Sequence, residues 1–65
     1  MKKRVLMRLL KEHNCFPTGR QTGNHAQFRN MDNGKWTVVP IHNDINEITA
    51  LGICKQLGIP PVKFN

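Results

Sequence analysis

The 65-residue chain has no apolar run of about 18 residues, so nothing in it reads as a membrane-spanning helix. No signal peptide is expected either. The amino terminus is basic, but Arg8 interrupts the apolar start Val5-Leu6-Met7 and no small-residue cleavage site follows. Cysteine is scarce. Cys15 and Cys54 fall short of a disulfide framework, and neither has a Cys or His partner at zinc-finger spacing. Both read as reduced packing residues of a cytoplasmic protein. Acidic residues are few, four against ten Lys and Arg. Asp32, Asp44 and Glu47 are scattered, so no carboxylate cluster is present to hold two metal ions, and no metal or cofactor is expected. There is no repeat, low-complexity segment or linker, so residues 1–65 are expected to form one domain. A domain of this length buries roughly 60% of its unfolded surface. That is room for a site of one or two residues on a cationic floor, not for a deep pocket or a cofactor fold.

What is abundant is positive charge, and it is unevenly spread. Residues 1–35 hold eight basic side chains and only Glu12 and Asp32 as acids, which is the whole net charge of +6; residues 36–65 hold two of each sign. Such one-sided charge favours a polyanionic partner, nucleic acid or an acidic protein. A generically soluble basic surface is the plainer explanation.

The hydrophobic pattern predicts helix, three strands, helix. Lys2 to Asn14 places Val5, Leu6, Leu9 and Leu10 on one stripe, with Asn14 able to stop the helix in the left-handed conformation. Cys15-Phe16 is then expected to enter the core. Pro17 limits Cys15–Gln21 to a short edge strand. A turn at Thr22-Gly23-Asn24 leads to a strand from His25 to Asn30, with Ala26 and Phe28 facing the helices and His25, Gln27 and Arg29 on the open face. After the Asn33-Gly34 turn signal, Lys35 to Pro40 forms the third strand, with Thr37 and Val39 inward and Trp36 and Val38 outward. The last helix is expected from about Ile48 to Leu57, using Ile48, Leu51, Ile53, Cys54 and Leu57 as its apolar side despite Gly52. Gly58 ends it and Pro60-Pro61 prevents its continuation.

Gly23-Asn24-His25 puts an imidazole at the mouth of the second strand, ringed in sequence by Arg20, Arg29 and Lys35. Imidazole titrates near neutrality, and cations beside it hold phosphate, which is what general-base attack on a phosphodiester requires. The same residues also fit a solvated or capping histidine in a small basic domain. Arg29, two same-face positions along the strand, is the first-choice cation, with Arg20 and Lys35 second. His42, after a strand-ending proline, fits a hydrogen-bonding structural group or a general acid. His13 suits the negative end of the first helix.

The order helix, Gly23-x-His25-x-x-Phe28, turn, strand, Val39-Pro40-Ile41-His42, helix, Lys55-Gln56-Leu57-Gly58-Ile59 resembles the HicA-type toxins of bacterial toxin–antitoxin pairs. The resemblance runs from Lys2 to about Pro60. It implies an α+β fold of αβββα order like a double-stranded-RNA-binding domain, with a three-stranded antiparallel sheet and two helices on one face. It also implies mRNA interferase activity with His25 catalytic, and a HicB-type antitoxin as partner. Two departures stand out: Asn24 and Ala26 replace the serine and the second histidine that often flank the family's histidine. In addition, Glu47-Ile48-Thr49-Ala50-Leu51 replaces the Lys-Gly-Thr-Leu-Arg that usually opens the last helix, which removes two cations.

The implied chemistry is attack of an RNA 2′-hydroxyl on its own phosphodiester, leaving a 2′,3′-cyclic phosphate and a 5′-hydroxyl. Trp36 either covers the edge of the core or, lying across from His25, stacks on an RNA base together with the contacts of Arg20, Arg29 and Lys35. Lys63 is expected to lie off that face. The antitoxin is expected to cover the open sheet face. A non-catalytic double-stranded-RNA-binding module has the same fold and cations but no need of His25, and a basic partner-binding subunit would not bind RNA at all.

Overall fold

The computed structural model describes residues 1–60; Pro61 of the Pro60-Pro61 pair and Lys63 lie outside them. The elements are α1 (Lys3–Glu12), β1 (Cys15–Thr22), β2 (His25–Asn30), β3 (Trp36–Pro40) and α2 (Glu47–Leu57). The strands form one antiparallel sheet in the order β1-β2-β3, so β2 is central and β1 and β3 are edges. Both helices pack on the same face of the sheet. Leu6 and Leu10 of α1 and Ala50, Ile53, Cys54 and Leu57 of α2 close over Cys15, Phe28 and Val39. This is the αβββα arrangement of the α+β class, consistent with the double-stranded-RNA-binding-like expectation.

The α1 stripe is rotated from its expected position. Leu6 and Leu10 are fully buried and Met7 and Leu9 pack against the core, whereas Val5 is exposed. The helix has no side-chain cap and no acid in its first turn. Tertiary bonds hold its start instead: the Lys3 N–H donates to the Asn43 carbonyl (2.8 Å), the Ile45 N–H to Met1 (2.9 Å), and Lys2 pairs with Asp44 (3.3 Å). Asn14, at φ 60°, ends α1 as expected.

β1 runs longer than the short edge strand predicted from Pro17. Its position at the edge explains this, since the missing proline N–H removes no bond from the middle of the sheet. The cost is a register shift between Pro17 and Gln21, where Gly19 takes φ 92°. Phe16 departs from expectation. Cys15 is buried, and with a period of two the next side chain must point the other way. Phe16 accordingly pairs with Arg29 on the open face and is half-buried there.

α2 begins one residue before the expected Ile48, because Asn46 caps it by accepting from the Thr49 N–H at 2.8 Å. Its buried positions 50, 53, 54 and 57 follow i, i+3, i+4, i+7, which leaves Ile48 (82% exposed) and Leu51 on the far side rather than in the core. Gly58 closes the helix at φ 69°. The carbonyl of Leu57 has no helical partner; the side-chain amides of Asn30 (2.8 Å) and Asn33 (3.0 Å) both donate to it. Asn30 is the buried polar residue among the described residues, and this bond together with one from the Asp32 N–H satisfies it. The β2–β3 turn thereby becomes the lid on the end of α2.

Candidate active site

The face of the sheet opposite the helices is open, and the ladder fixes what stands where on it. Gly23 turns the chain at φ 57°, and the Ile41 N–H donates to the Asn24 carbonyl at 2.7 Å, so the start of β2 is held from both sides. His25 is the first residue after that turn. Thr22 of β1 and Pro40 of β3 oppose it, and opposed residues share a face. Neither neighbour is bulky. The imidazole is exposed and makes no hydrogen bond to another described residue, which leaves both ring nitrogens available. His42 is also exposed and lies two residues past Pro40, at the same end of the sheet. His13 caps the C-terminal end of α1, in keeping with the dipole role.

The register reorders the cations. Arg20 is exposed and precedes Thr22, the residue opposite His25, by two residues, about 7 Å of strand. The bulge that carries it is pinned by Thr18, whose hydroxyl donates to Gln27 Oε1 (2.7 Å) and accepts from the Arg20 N–H (3.3 Å). Arg29 is on the open face as expected but four residues from His25, about 13 Å along β2. Lys35 is not on that face. Its side chain runs past Gly58, with Nζ 3.6 Å from where a Cβ there would sit, beside the C-terminus of α2. A lysine at that negative helix end is electrostatically placed, not presented to His25.

Trp36 is outward as expected and 57% exposed, but it pairs with Arg29 rather than lying across from His25. Antiparallel counting from the turn explains the shift, since a strand starting at Trp36 brings Pro40, not Trp36, level with the first residue of β2. Sequence reasoning missed Phe16 on the open face and Thr18 in the bulge. The first was available by counting two-residue alternation from Cys15; the second needed the register shift.

Burial pushes the Cys15 thiol above its ordinary value, with the charge of Asp32 adding to the effect. Cys15 and Cys54 are both buried, so neither is presented as a nucleophile. Among the described residues no group of three or more His, Cys, Asp or Glu side chains converges as a metal site would require, and no helix is long and apolar enough to cross a membrane. What the face offers is an exposed imidazole at the start of the central strand, with Arg20 two residues from the position that opposes it.

No curated protein and no solved structure matches the chain significantly. The sequence profile of the HicA toxin of bacterial toxin–antitoxin systems matches residues 4–59, a span that runs from the first turn of α1 through His25 to the residue after the α2 cap, and the chain therefore belongs to the HicA toxin family.

Proposed function

We propose that residues 1–65 act as one domain, a metal-independent endoribonuclease that cleaves mRNA in the cytoplasm and is neutralised by a HicB-type antitoxin. The observation that carries this reading is the placement of His25, exposed and without hydrogen-bond partners among the described residues at the open end of the central strand, in a chain of the HicA toxin family. His25 takes the proton from the ribose 2′-hydroxyl. The oxygen attacks the adjacent phosphorus, the bond to the 5′-oxygen of the next nucleotide breaks, and that oxygen takes a proton from water while His25 returns its own to solvent, leaving a 2′,3′-cyclic phosphate and a 5′-hydroxyl. A positioned general base supplies about 10²–10⁴-fold. Arg20 is the cation best placed for charge developing on the phosphorane, and Arg29 serves a phosphate further along the strand.

The test is His25→Ala. The side chain is exposed and packs against little, so folding and RNA affinity should be retained while cleavage and growth inhibition fall by about 10²-fold or more. Cleavage by the unaltered protein should persist in EDTA. Full activity in the alanine variant would falsify the assignment, and RNA binding without cleavage by the unaltered protein would mark a binding module instead.

A further inference from the structure

The open face carries a second cluster at the end away from His25. The ladder sets Phe16 of β1 opposite Arg29 of β2, and Arg29 opposite Trp36 of β3. An aromatic residue, an arginine and a second aromatic residue therefore stand in one row across three strands spaced about 4.8 Å apart. The core beneath is complete without Trp36, whose indole remains 57% exposed. Arg29 Nη2 lies 3.5 Å from where a Cβ on Gly34 would sit, so the guanidinium rests over the β2–β3 turn. Unpaired bases bind flat rings held on a sheet, with a cation alongside for the backbone phosphate.

We propose that Phe16, Arg29 and Trp36 form a base-binding subsite that sets where the RNA is cut, at two to four nucleotides from the bond broken at His25. The proposal rests on the ribonuclease reading of His25. The spacing follows from the four-position separation of His25 and Arg29 along β2, about 13 Å. A stacked strand advancing about 3.4 Å per nucleotide covers that distance in roughly four nucleotides, and a splayed one in fewer. Trp36 supplies the stacking surface, Arg29 the phosphate contact, and the half-buried Phe16 the far wall. The selected nucleotide is thus distinct from the one whose 2′-hydroxyl reacts.

Trp36 is the sole tryptophan, so its fluorescence reports the subsite directly. The His25→Ala protein is titrated with a single-stranded oligonucleotide that the unaltered protein cuts once, and with versions carrying one abasic nucleotide at each position in turn. Indole emission should change on binding, and should fail to change when the abasic position lies two to four nucleotides from the cut. In cleavage assays that same position should raise KM about tenfold for the unaltered protein. Trp36→Ala should lose this dependence and cut at additional places, while Trp36→Phe should retain it; the phenylalanine variant also covers the case in which the alanine variant misfolds. Indole emission unmoved by saturating RNA, or an unchanged cut pattern in Trp36→Ala, overturns the subsite while leaving His25 as the base. Weakened antitoxin binding with unchanged cleavage assigns the row to the protein partner and also overturns it. Failure of the unaltered protein to cleave any RNA removes both readings together.

Discussion

Replacing Asn30 by alanine tests the link between the β2–β3 turn and α2. The Asn30 side chain is 4% exposed, donates to the Leu57 carbonyl at 2.8 Å and accepts from the Asp32 N–H at 2.8 Å. Each such bond contributes about 0.5–1.5 kcal/mol net, so Asn30→Ala should cost about 2 kcal/mol. In a domain of this size that lowers Tm by about 8–16 °C. The carbonyl itself is not orphaned by this change, because Asn33 still donates to it at 3.0 Å. Asn33→Ala, more exposed, should cost about 1 kcal/mol. Only the double variant leaves the Leu57 carbonyl without a side-chain donor, since the Ile59 and Gly58 N–H groups go to Cys54 and Lys55. The double variant should therefore lose about 1 kcal/mol more than the sum of the singles. Urea denaturation of the four proteins, followed by circular dichroism, measures the cycle. Costs that add to within about 0.5 kcal/mol would refute the shared cap.

Three further outcomes are expected. Arg20→Ala should lower kcat more than Arg29→Ala, whereas Arg29→Ala should reduce the salt slope of RNA binding by about one; equal effects in single-turnover and salt-titration assays would contradict the register-based ranking. Cys15 keeps its proton more tightly when folded than when unfolded, so its contribution is constant below the ordinary thiol value of 9.0 and declines as pH rises beyond it. Denaturation midpoints should fall over that alkaline range, and the part due to Cys15 should vanish in Cys15→Ala. Antitoxin and RNA should compete for the His25→Ala protein in a gel-shift assay, because no described residue covers the open face and a partner of opposite charge would occlude it; a stable ternary complex would rule this out.

Much of this arrangement was legible in the chain. Leu6 and Leu10, the alternation of Ala26 and Phe28 against His25 and Arg29, the left-handed stop at Asn14 and the glycine cap at Gly58 all follow from periods of 3.6 and two and from backbone sterics. The departures have separate physical causes. Ile48 and Leu51 are apolar but lie off the arc that faces the sheet, and composition does not reveal helix rotation. Alternation puts Trp36 on the face of His25 but does not set register, and antiparallel pairing carries it, with Lys35 before it, to the opposite end of the ladder. The Leu57 cap was illegible because its donors lie 27 and 24 residues away.

The two borders of the sheet are chemically unlike. On one side Pro17 offers no N–H, Gly19 bends the backbone out of line and the register slips, so an approaching extended segment finds no continuous row of donors and acceptors. On the other, Trp36 to Val39 keeps regular register with β2 and is built from Trp, Thr and Val. Any chain that extends this sheet by main-chain pairing, whether a cognate peptide or a second copy at high concentration, is steered to that side. A charged residue at outward-facing Val38 would stand in the middle of that regular border and make main-chain pairing there less favourable.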